Sequence, residues 1–402
     1  MSGLFRQRKF HRHPDLKERY EVVVIGGGIN GLALAYYLAA NHGIRRVAVL
    51  ERDYIGGGGS GRNTQVVRAN YNTPETVPLY KESLSMFSNL SQELDFNIMF
   101  SNQGELDLCH SHDALEVERD KAYLDRSFGV GMEILDTDQI LEICPHVDLS
   151  GGGELPVVGA SYHPPGSFAH HDSVVWAYAT AAQRLGVEVH QQTEVTGVMT
   201  EHGRCTGVTT DRGEVSTGAV VSAVAGWSSI IAGMAGIKLP IVTDILQAFV
   251  TEPVRPVLTG LVSSMDLYVY MSQTARGELL VGAEVLPYNS YSTRSTYDFA
   301  SEAAKRSIMI LPVMARARLM RAWAGLCDMT PDSSPLLGES EVGRFFLMSG
   351  MGTWGFKGAP IFGRSMAELI AEDRTPGLIA PFAPDRFERD RQVPDAFSAG
   401  TH

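Results

Sequence analysis

The sequence predicts an α/β fold in which a mainly parallel sheet domain is interrupted by a second domain of the α+β type. Two observations predict the first domain: a strand–glycine turn–helix unit begins near Tyr20, and another ends near Glu372. A third observation predicts that the second domain is inserted into the first: between the two units lie short runs that alternate between apolar and polar residues, as antiparallel strands do. The length of 402 residues also exceeds what one ordinary hydrophobic core serves, so two domains are expected.

Composition and charge disfavour several classes of function. The net charge of −12 argues against nucleic acid and acidic membrane surfaces as partners. No apolar run approaches the roughly 18–20 residues that span a bilayer, and the basic start lacks the apolar region of a secretory signal. Widely spaced cysteines without a CxxC pair indicate reduced buried thiols in a cytoplasmic protein, with no metal site. They are Cys109, Cys144, Cys205 and Cys327.

The first unit carries a GxGxxG motif directly after the apolar run 22–25. Gly26, Gly28 and Gly31 occupy its positions, which require a tight turn, close approach of a pyrophosphate and close helix–strand packing. The following helix offers free N–H groups to a phosphate. Glu51 ends the next apolar run and suits a ribose hydroxyl, which disfavours NADP. The segment predicts a dinucleotide site and leaves FAD and NAD open.

The loop after Glu51 favours FAD. Residues 55–71 read IGGGGSGRNTQVVRANY, and an extended flavin needs a second polar, glycine-rich loop near its ribityl chain and pyrophosphate. The alternative is a flexible surface loop. Two cations stand out, because one suits a phosphate and the other a substrate carboxylate. The candidate residues are Ser60, Arg62, Asn63, Thr64 and Arg68.

A pair of histidines precedes an amphipathic helix in the middle of the chain. Asp172 or Ser173 is the expected N-cap of this helix. The positive end of the helix dipole favours a neutral imidazole at His170 or His171. Two adjacent histidines without a third ligand are a poor metal motif, so the residues alone predict a polar loop. Further on, residues 268–271 indicate a strand whose aromatic rings either cover a ligand or pack within a sheet.

The C-terminal unit repeats the strand–glycine turn–helix pattern. A strand over 345–348 precedes a glycine cluster, and 361–370 has helical periodicity. The helix N-terminus can stabilise negative charge on a reduced flavin ring. Lys357 lies inside the turn and either anchors a carboxylate or faces solvent. The cluster consists of Gly350, Gly352, Gly355 and Gly358.

Together these motifs resemble the β subunits of heterotetrameric sarcosine oxidases, within the glycine/D-amino-acid oxidase flavoprotein family. The resemblance extends from about Tyr20 to Phe387. Its most specific stretches are GGGINGLALAYYLA, IGGGGSGRNTQVVRANY, FAHHDSVVWAYA, LPIVTDILQAFVTEPVRPVL, GELLVGAE with PYNSYS, ARARLMRAWAGLCDMTPDSSPLLG and GTWGFKGAP.

The resemblance implies a fold, cofactors and site residues. The fold is an FAD-binding Rossmann-like domain of the glutathione-reductase/D-amino-acid-oxidase type with an interleaved antiparallel-sheet substrate domain. The family motifs place covalent FMN on the histidine before Asp172, which is His171, and a substrate carboxylate on Arg68 and Lys357. The residues implied for noncovalent FAD are Gly26, Gly28, Asn30, Gly31, Glu51, Gly59, Ser60, Arg62, Asn63, Thr64, Val195, Gly352, Gly355 and Lys357.

The resemblance also implies a reaction and partners. A secondary amine such as sarcosine reduces FAD, FAD reduces FMN, and oxygen reoxidises FMN to give hydrogen peroxide. The partners are α, γ and δ subunits, with NAD and tetrahydrofolate on α. The alternatives are an N-methylglutamate dehydrogenase that does not use oxygen, a non-catalytic flavin-binding assembly subunit, and a monomeric FAD oxidase without FMN.

Several positions depart from the family pattern. Leu280 and Glu284 stand where monomeric relatives have an oxygen-activating lysine and a histidine. Thr353–Trp354 and Trp227 are bulkier than the usual residues.

The domain division also follows from the resemblance. The expected division is an N-terminal extension (1–19), an FAD domain (20–100, 160–235 and 322–390), a substrate and FMN-interface domain (101–159 and 236–321) and a tail (391–402).

Overall fold

The computed structural model describes residues 15–286 and 289–395, and of residues 284–286 it describes the backbone. Most of the N-terminal extension, the end of the tail and the side chain of Glu284 therefore lie outside the described residues. The strands, in chain order, are β1 (Arg19–Ile25), β2 (Val47–Leu50), β3 (Val66–Val67), β4 (Ser101–Asn102), β5 (Glu105–Cys109), β6 (Glu133–Leu135), β7 (Gly159–His163), β8 (Ser167–Phe168), β9 (Glu188–His190), β10 (Val195–Glu201), β11 (Arg204–Thr210), β12 (Gly213–Ser222), β13 (Val242–Pro253), β14 (Leu261–Ser264), β15 (Val269–Gln273), β16 (Glu278–Leu286), β17 (Leu319–Met329), β18 (Leu336–Glu339) and β19 (Phe345–Ser349).

Helices connect and cover these strands. In chain order they are α1 (Ile29–His42), α2 (Thr76–Glu93), α3 (His112–Ser127), α4 (Thr137–Ile143), α5 (His171–Arg184), α6 (Ser228–Met234), α7 (Tyr297–Ile310) and α8 (Gly355–Glu372). Short 3-10 turns join several of them, and the turn Gly59–Arg62 matters for the site.

The first sheet is built around parallel strands in the order β9–β2–β1–β12–β19. β18 adds antiparallel to β19, and the β10–β11 hairpin continues from the first half of β12. The central strands are buried on both faces and read as continuous apolar runs, as parallel strands covered by helices require. α1 and α8 approach so closely that a Cβ on Gly363 would lie 2.8 Å from Ala33.

The second sheet has the order β17–β13–β16–β15–β14–β5–β7–β6 and is antiparallel except between β14 and β5. The chain leaves the first sheet after β2, visits the second with β5–β7, and returns with β9–β12. It then forms β13–β17 before closing the first sheet with β18 and β19. The predicted α/β fold with an interleaved second sheet is confirmed.

Sheet membership leads us to propose two changes to the expected domain borders. β7 and β17 pair within the second sheet, although most of each was assigned to the FAD domain by the borders at 160 and 322. The chain leaves the second sheet at the carboxyl end of each strand: β17 leads into β18 of the first sheet, and β7 leads into β8, which pairs with β3 and β4 in a small third sheet. We therefore propose borders near His163 and Met329.

The four cysteines of the chain lie within the described residues. All four cysteines are buried and free, as predicted. In the described ranges, no helix combines the length and apolarity needed to cross a bilayer, and no three potential ligand side chains gather as a metal site would need.

Candidate functional site

A cavity of about 530 Å³ lies at the carboxyl ends of the parallel strands, where open α/β sheets bind ligands. Its lining begins where β1, β2, β12 and β19 end, at Ile25, Leu50, Ala223 and Met348. The second sheet contributes the opposite side through β13, β15 and β17. Tyr270 of β15 is among the lining residues, so one of the two aromatic rings expected over a ligand faces the cavity.

The first glycine turn closes one side of the cavity. Gly26 has a φ of 109°, and a Cβ there would lie 2.4 Å from the carbonyl oxygen of Ala223. A Cβ on Gly31 would lie 2.2 Å from the carbonyl oxygen of Gly26, so α1 could not pack on β1 with any larger residue. The Ile29 N–H, at the start of α1, donates to Ser60 Oγ over 2.9 Å. Ser60 thus joins the glycine-rich loop to the helix N-terminus.

Glu51 braces this turn from the end of β2. One carboxylate oxygen accepts the Gly27 N–H and the other accepts the Asp53 N–H, each over 2.8 Å. Burial raises the pKa of the Glu51 carboxyl, although these two hydrogen bonds oppose the rise. Glu51 lines the cavity beside Asp53.

Arg62 stabilises the glycine-rich loop itself. Its guanidinium donates to the carbonyl oxygens of Gly57 and Gly58, the latter over 2.9 Å. Its carbonyl oxygen accepts the indole N–H of Trp323 over 2.9 Å, which fastens the 3-10 turn to β17. Arg62 lines the cavity, but its charge is already directed at the loop. The glycine-rich segment is therefore held on both sides, and the alternative of a flexible surface loop is not favoured.

The second glycine turn closes another side of the cavity. Gly350 and Gly352 have φ values of 65° and 50°, and the turn leads into α8. Asp328, near the end of β17, holds this turn because its Oδ2 accepts the Gly350 N–H over 2.7 Å. The Gly352 N–H donates to the Asp328 carbonyl oxygen over 3.2 Å. Asp328 is not among the site residues predicted from the sequence.

A second buried group of charges surrounds Arg68, just after β3. The guanidinium lies 3.6 Å from Glu105 Oε1 and donates to the Asn70 carbonyl oxygen over 3.1 Å. It also lies over the ring of Tyr71, 5.0 Å from the ring centre. Arg68 and Glu105 are both buried, and Glu105 Oε2 has no hydrogen-bond partner among the described residues. The cluster therefore holds a cation paired with a carboxylate that keeps one free oxygen.

Lys357 lies in the first turn of α8 and is buried, so the alternative of a solvent-facing lysine is wrong. Its carbonyl oxygen accepts the Ser83 hydroxyl over 2.6 Å, which ties α8 to α2. Burial, followed by the charge of Arg68, lowers the pKa of the Lys357 ammonium to about 7, while Glu105 opposes the fall. Arg68, Lys357 and Glu105 are thus electrostatically coupled.

The two adjacent histidines have different roles at the start of α5. His170, rather than Asp172 or Ser173, is the N-cap, because its Nδ1 accepts the Ser173 N–H over 3.3 Å. The His171 ring stacks on His170 with ring centres 5.2 Å apart, and its Nδ1 is buried without a hydrogen-bond partner in the described chain. Burial lowers the pKa of the His171 imidazole, while Asp172 opposes the fall. An uncharged ring with an unused nitrogen results.

The helix α5, which begins at His171, contacts the 3-10 turn Gly59–Arg62 at the edge of the cavity. Three residues of the turn line the cavity, and a Cβ on Gly61 would lie 3.8 Å from Asp172 Oδ1. The turn therefore adjoins both the cavity and the N-terminus of α5.

The sequence profile of a family described as "FAD dependent oxidoreductase" matches residues 21–369. The chain belongs to this family. Relatives at 38–40% identity are named sarcosine oxidase subunit beta. They include the protein from an Arthrobacter species, 40% identical over 94% of this chain and 93% of its own length, and that from Rhodobacter capsulatus, 39% identical over 96% and 93%.

Solved structures of a dehydrogenase and of an oxidase share the fold. An L-proline dehydrogenase from P. horikoshii superposes with a TM-score of 0.88 at 31% identity, covering 94% of this chain and all of that one. A glycine oxidase from Geobacillus kaustophilus superposes with a TM-score of 0.83 at 24% identity, covering 92% and 99%.

The residues of the cavity fit FAD. Asn30 Oδ1 is buried without a hydrogen-bond partner among the described residues and lines the cavity beside the N-terminus of α1. The cavity also brings together most of the FAD residues expected from the sequence, which come from both ends of the chain. These are Gly26, Gly28, Asn30, Glu51, Gly59, Ser60, Arg62, Asn63, Thr64, Val195, Gly352 and Gly355.

The remaining expected residues lie elsewhere. Gly31 lies at the contact between α1 and β1, His171 is the first residue of α5, and Arg68 and Lys357 form the buried charge cluster with Glu105. Glu105 and Asp328 are missing from the set expected from sequence. The sequence feature that could have indicated them is an acidic residue among apolar strand residues, as in ELDLC at β5 and GLCDM at β17.

The departures from the family pattern have distinct surroundings. Trp354 is buried, with its ring centre 5.2 Å from that of Tyr71, and it packs behind the charge cluster. Trp227 lines the cavity with the Arg52 guanidinium 4.3 Å from its ring centre. Leu280 is buried within β16.

Proposed function

We propose that this chain is the β subunit of a heterotetrameric flavoprotein that oxidises sarcosine or a related N-methyl amino acid. The observation that carries the proposal is the near-full-length similarity, at 38–40% identity, to three sarcosine oxidase β subunits. The buried charge cluster supports it, because a small amino acid offers a carboxylate for Arg68 and Lys357 and a secondary amine for oxidation.

The side chains bind and orient the substrate. Arg68 and Lys357 hold its carboxylate, and because both are buried their hydrogen bonds to an anion are strong. Glu105 keeps Arg68 paired when no substrate is present. When bound, FAD supplies the hydride acceptor for the amine.

We further propose that His171 carries FMN covalently. Its unused Nδ1 and its lowered pKa support His171, and His170 is disfavoured because its Nδ1 caps α5. The contact between α5, which begins at His171, and the 3-10 turn that lines the FAD cavity supports electron transfer between the two flavins.

The other components lie on partner chains in this proposal. The β-subunit names of the relatives indicate a multi-subunit enzyme, so α, γ and δ subunits are proposed as partners. Tetrahydrofolate on the α subunit accepts the one-carbon product, NAD also binds α, and oxygen reoxidises FMN to give hydrogen peroxide.

Anaerobic reduction of the native complex tests the function. Sarcosine is expected to bleach the visible absorption band of the oxidised flavin, and to do so faster than N-methylglutamate or L-proline. Proline serves as the second candidate because a proline dehydrogenase shares the fold at 31% identity. Preference for another amine would reassign the substrate, and no bleaching by any amine would leave a non-catalytic subunit.

Reoxidation distinguishes an oxidase from a dehydrogenase. After reduction, admission of air is expected to restore the flavin colour with one equivalent of peroxide per substrate oxidised. Slow reoxidation without peroxide would contradict the oxidase and favour the N-methylglutamate dehydrogenase alternative.

The pH dependence of carboxylate binding tests Lys357. Below pH 7 its ammonium is charged and attracts an anion; above pH 7 the substrate-free lysine is neutral. The affinity for acetate, measured by perturbation of the flavin spectrum, is therefore expected to fall by up to about tenfold per pH unit above 7.

The Lys357→Met variant is the control for that measurement. It should bind acetate weakly at every pH and lose the decline above pH 7, since Arg68 remains charged throughout. A decline that persisted in the variant would assign the titration to another group.

A further inference from the structure

Asp328 offers a carboxylate oxygen to the FAD cavity. Its side chain is 1% exposed and lines the cavity, yet Oδ1 has no hydrogen-bond partner among the described residues. Its position is fixed, because Oδ2 accepts the Gly350 N–H over 2.7 Å and lies 3.4 Å from the Ser228 hydroxyl. A buried carboxylate with an unused oxygen is costly unless a ligand or water supplies a donor.

The chemistry of a carboxylate limits what it accepts. An anionic oxygen repels the pyrophosphate of a dinucleotide, and it accepts hydrogen bonds only from hydroxyl or N–H groups. FAD has such donors on its two sugar-derived chains and on its rings. Glu51 lies at the end of β2, whereas Asp328 lies on β17 of the second sheet and at the second glycine turn. The two carboxylates therefore contact different parts of the cavity.

We propose that Asp328 binds FAD by accepting a hydrogen bond at Oδ1 from a hydroxyl or N–H group of the flavin half of the cofactor. This inference rests on the proposed FAD-dependent function and adds a binding residue to it. Asp328 also joins cofactor binding to the second glycine turn, because the same carboxylate holds the Gly350 N–H.

An asparagine at this position tests the proposal by reversing the polarity of one atom. In Asp328→Asn the amide oxygen can still accept the Gly350 N–H, which leaves an NH₂ donor facing the cavity. The hydrogen-bond donor of FAD would then face the amide NH₂, which is also a donor, and the hydrogen bond could not form. The affinity for FAD is expected to fall at least about tenfold, the loss typical of a hydrogen bond to a charged group.

Asp125→Asn is the matched control. Asp125 is 0% exposed, its Oδ1 accepts the Tyr71 N–H over 3.3 Å, and its Oδ2 has no partner among the described residues. It resembles Asp328 in burial and bonding but does not line the cavity. This variant is expected to bind FAD as the unchanged protein does.

Flavin-depleted protein with its subunits intact is titrated with FAD and, separately, with ADP, and binding is followed by quenching of flavin fluorescence or by calorimetry. The proposal predicts weaker FAD binding and unchanged ADP binding for Asp328→Asn, with the thermal unfolding midpoints of the FAD-free proteins alike. Unchanged or tighter FAD binding would overturn it. Equal weakening of ADP binding would overturn the assignment to the flavin half, and failure of the unchanged protein to bind FAD would instead refute the proposed function.

Discussion

Replacing Arg68 by Met is expected to lower kcat/KM for the amine substrate by about a hundredfold or more while FAD stays bound. The guanidinium is proposed to bind the substrate carboxylate in a buried cluster, and each hydrogen bond between charged groups is worth about 1.5–3 kcal/mol. Two such bonds correspond to two to four powers of ten in kcat/KM. Steady-state kinetics with sarcosine, together with the flavin spectrum of the variant, provide the measurement.

The same change is expected to destabilise the fold. Glu105 lies 3.6 Å from the guanidinium with its side chain almost fully buried, so Arg68→Met leaves a buried carboxylate without its cation. Breaking a buried ion pair in this way typically costs about 3–5 kcal/mol. Denaturant unfolding of the flavin-depleted protein measures the loss without a contribution from bound cofactor.

A double variant separates the two effects. Arg68→Met/Glu105→Gln removes both charges, so it should recover much of the stability that either single variant loses while remaining inactive. The double-mutant cycle is expected to show a coupling of about 1–3 kcal/mol between the two positions. Additive losses of stability would contradict the ion pair, and an active double variant would contradict Arg68 as the carboxylate anchor.

The FAD cavity was largely predictable from the sequence because its residues are required by backbone geometry. Neighbouring backbone atoms leave no room for a Cβ at Gly26 or Gly31. Such requirements fix glycine at set spacings, which can be recognised as a motif in the sequence. The C-terminal turn at Gly350 and Gly352 follows the same rule, since both residues have positive φ. Positions that require glycine can therefore be recognised from the sequence before the neighbouring atoms that impose the requirement are known.

The charge cluster was only half predictable, for the opposite reason. Arg68 stood out through its motif, but Glu105 lies in a strand that contacts Arg68 only after the chain has folded. Nothing local to ELDLC states which buried carboxylate meets a cation. The N-cap of α5 shows the same limit, because His170 was not expected to use its ring nitrogen in place of an aspartate or serine oxygen.

Replacing His171 by Ala is expected to abolish acid-stable flavin while leaving dissociable FAD in place. In the unchanged protein, acid precipitation should give a yellow pellet from covalent FMN and release FAD to the supernatant. His171 is proposed as the attachment residue because its Nδ1 is buried and unused in the described chain and its pKa is lowered by burial. Covalent attachment requires an uncharged nitrogen, and at pH 7 this ring provides one.

His170→Ala is the control, because the two variants are expected to differ in both thermal stability and pellet colour. His170 Nδ1 caps α5 through the Ser173 N–H, and loss of an N-cap typically costs about 1 kcal/mol of stability. That variant should therefore melt earlier yet keep a yellow pellet. His171→Ala should retain stability and lose the colour. A colourless pellet from His170→Ala alone would move the attachment to His170, and colourless pellets from every protein, the unchanged one included, would show that the chain acts with FAD alone.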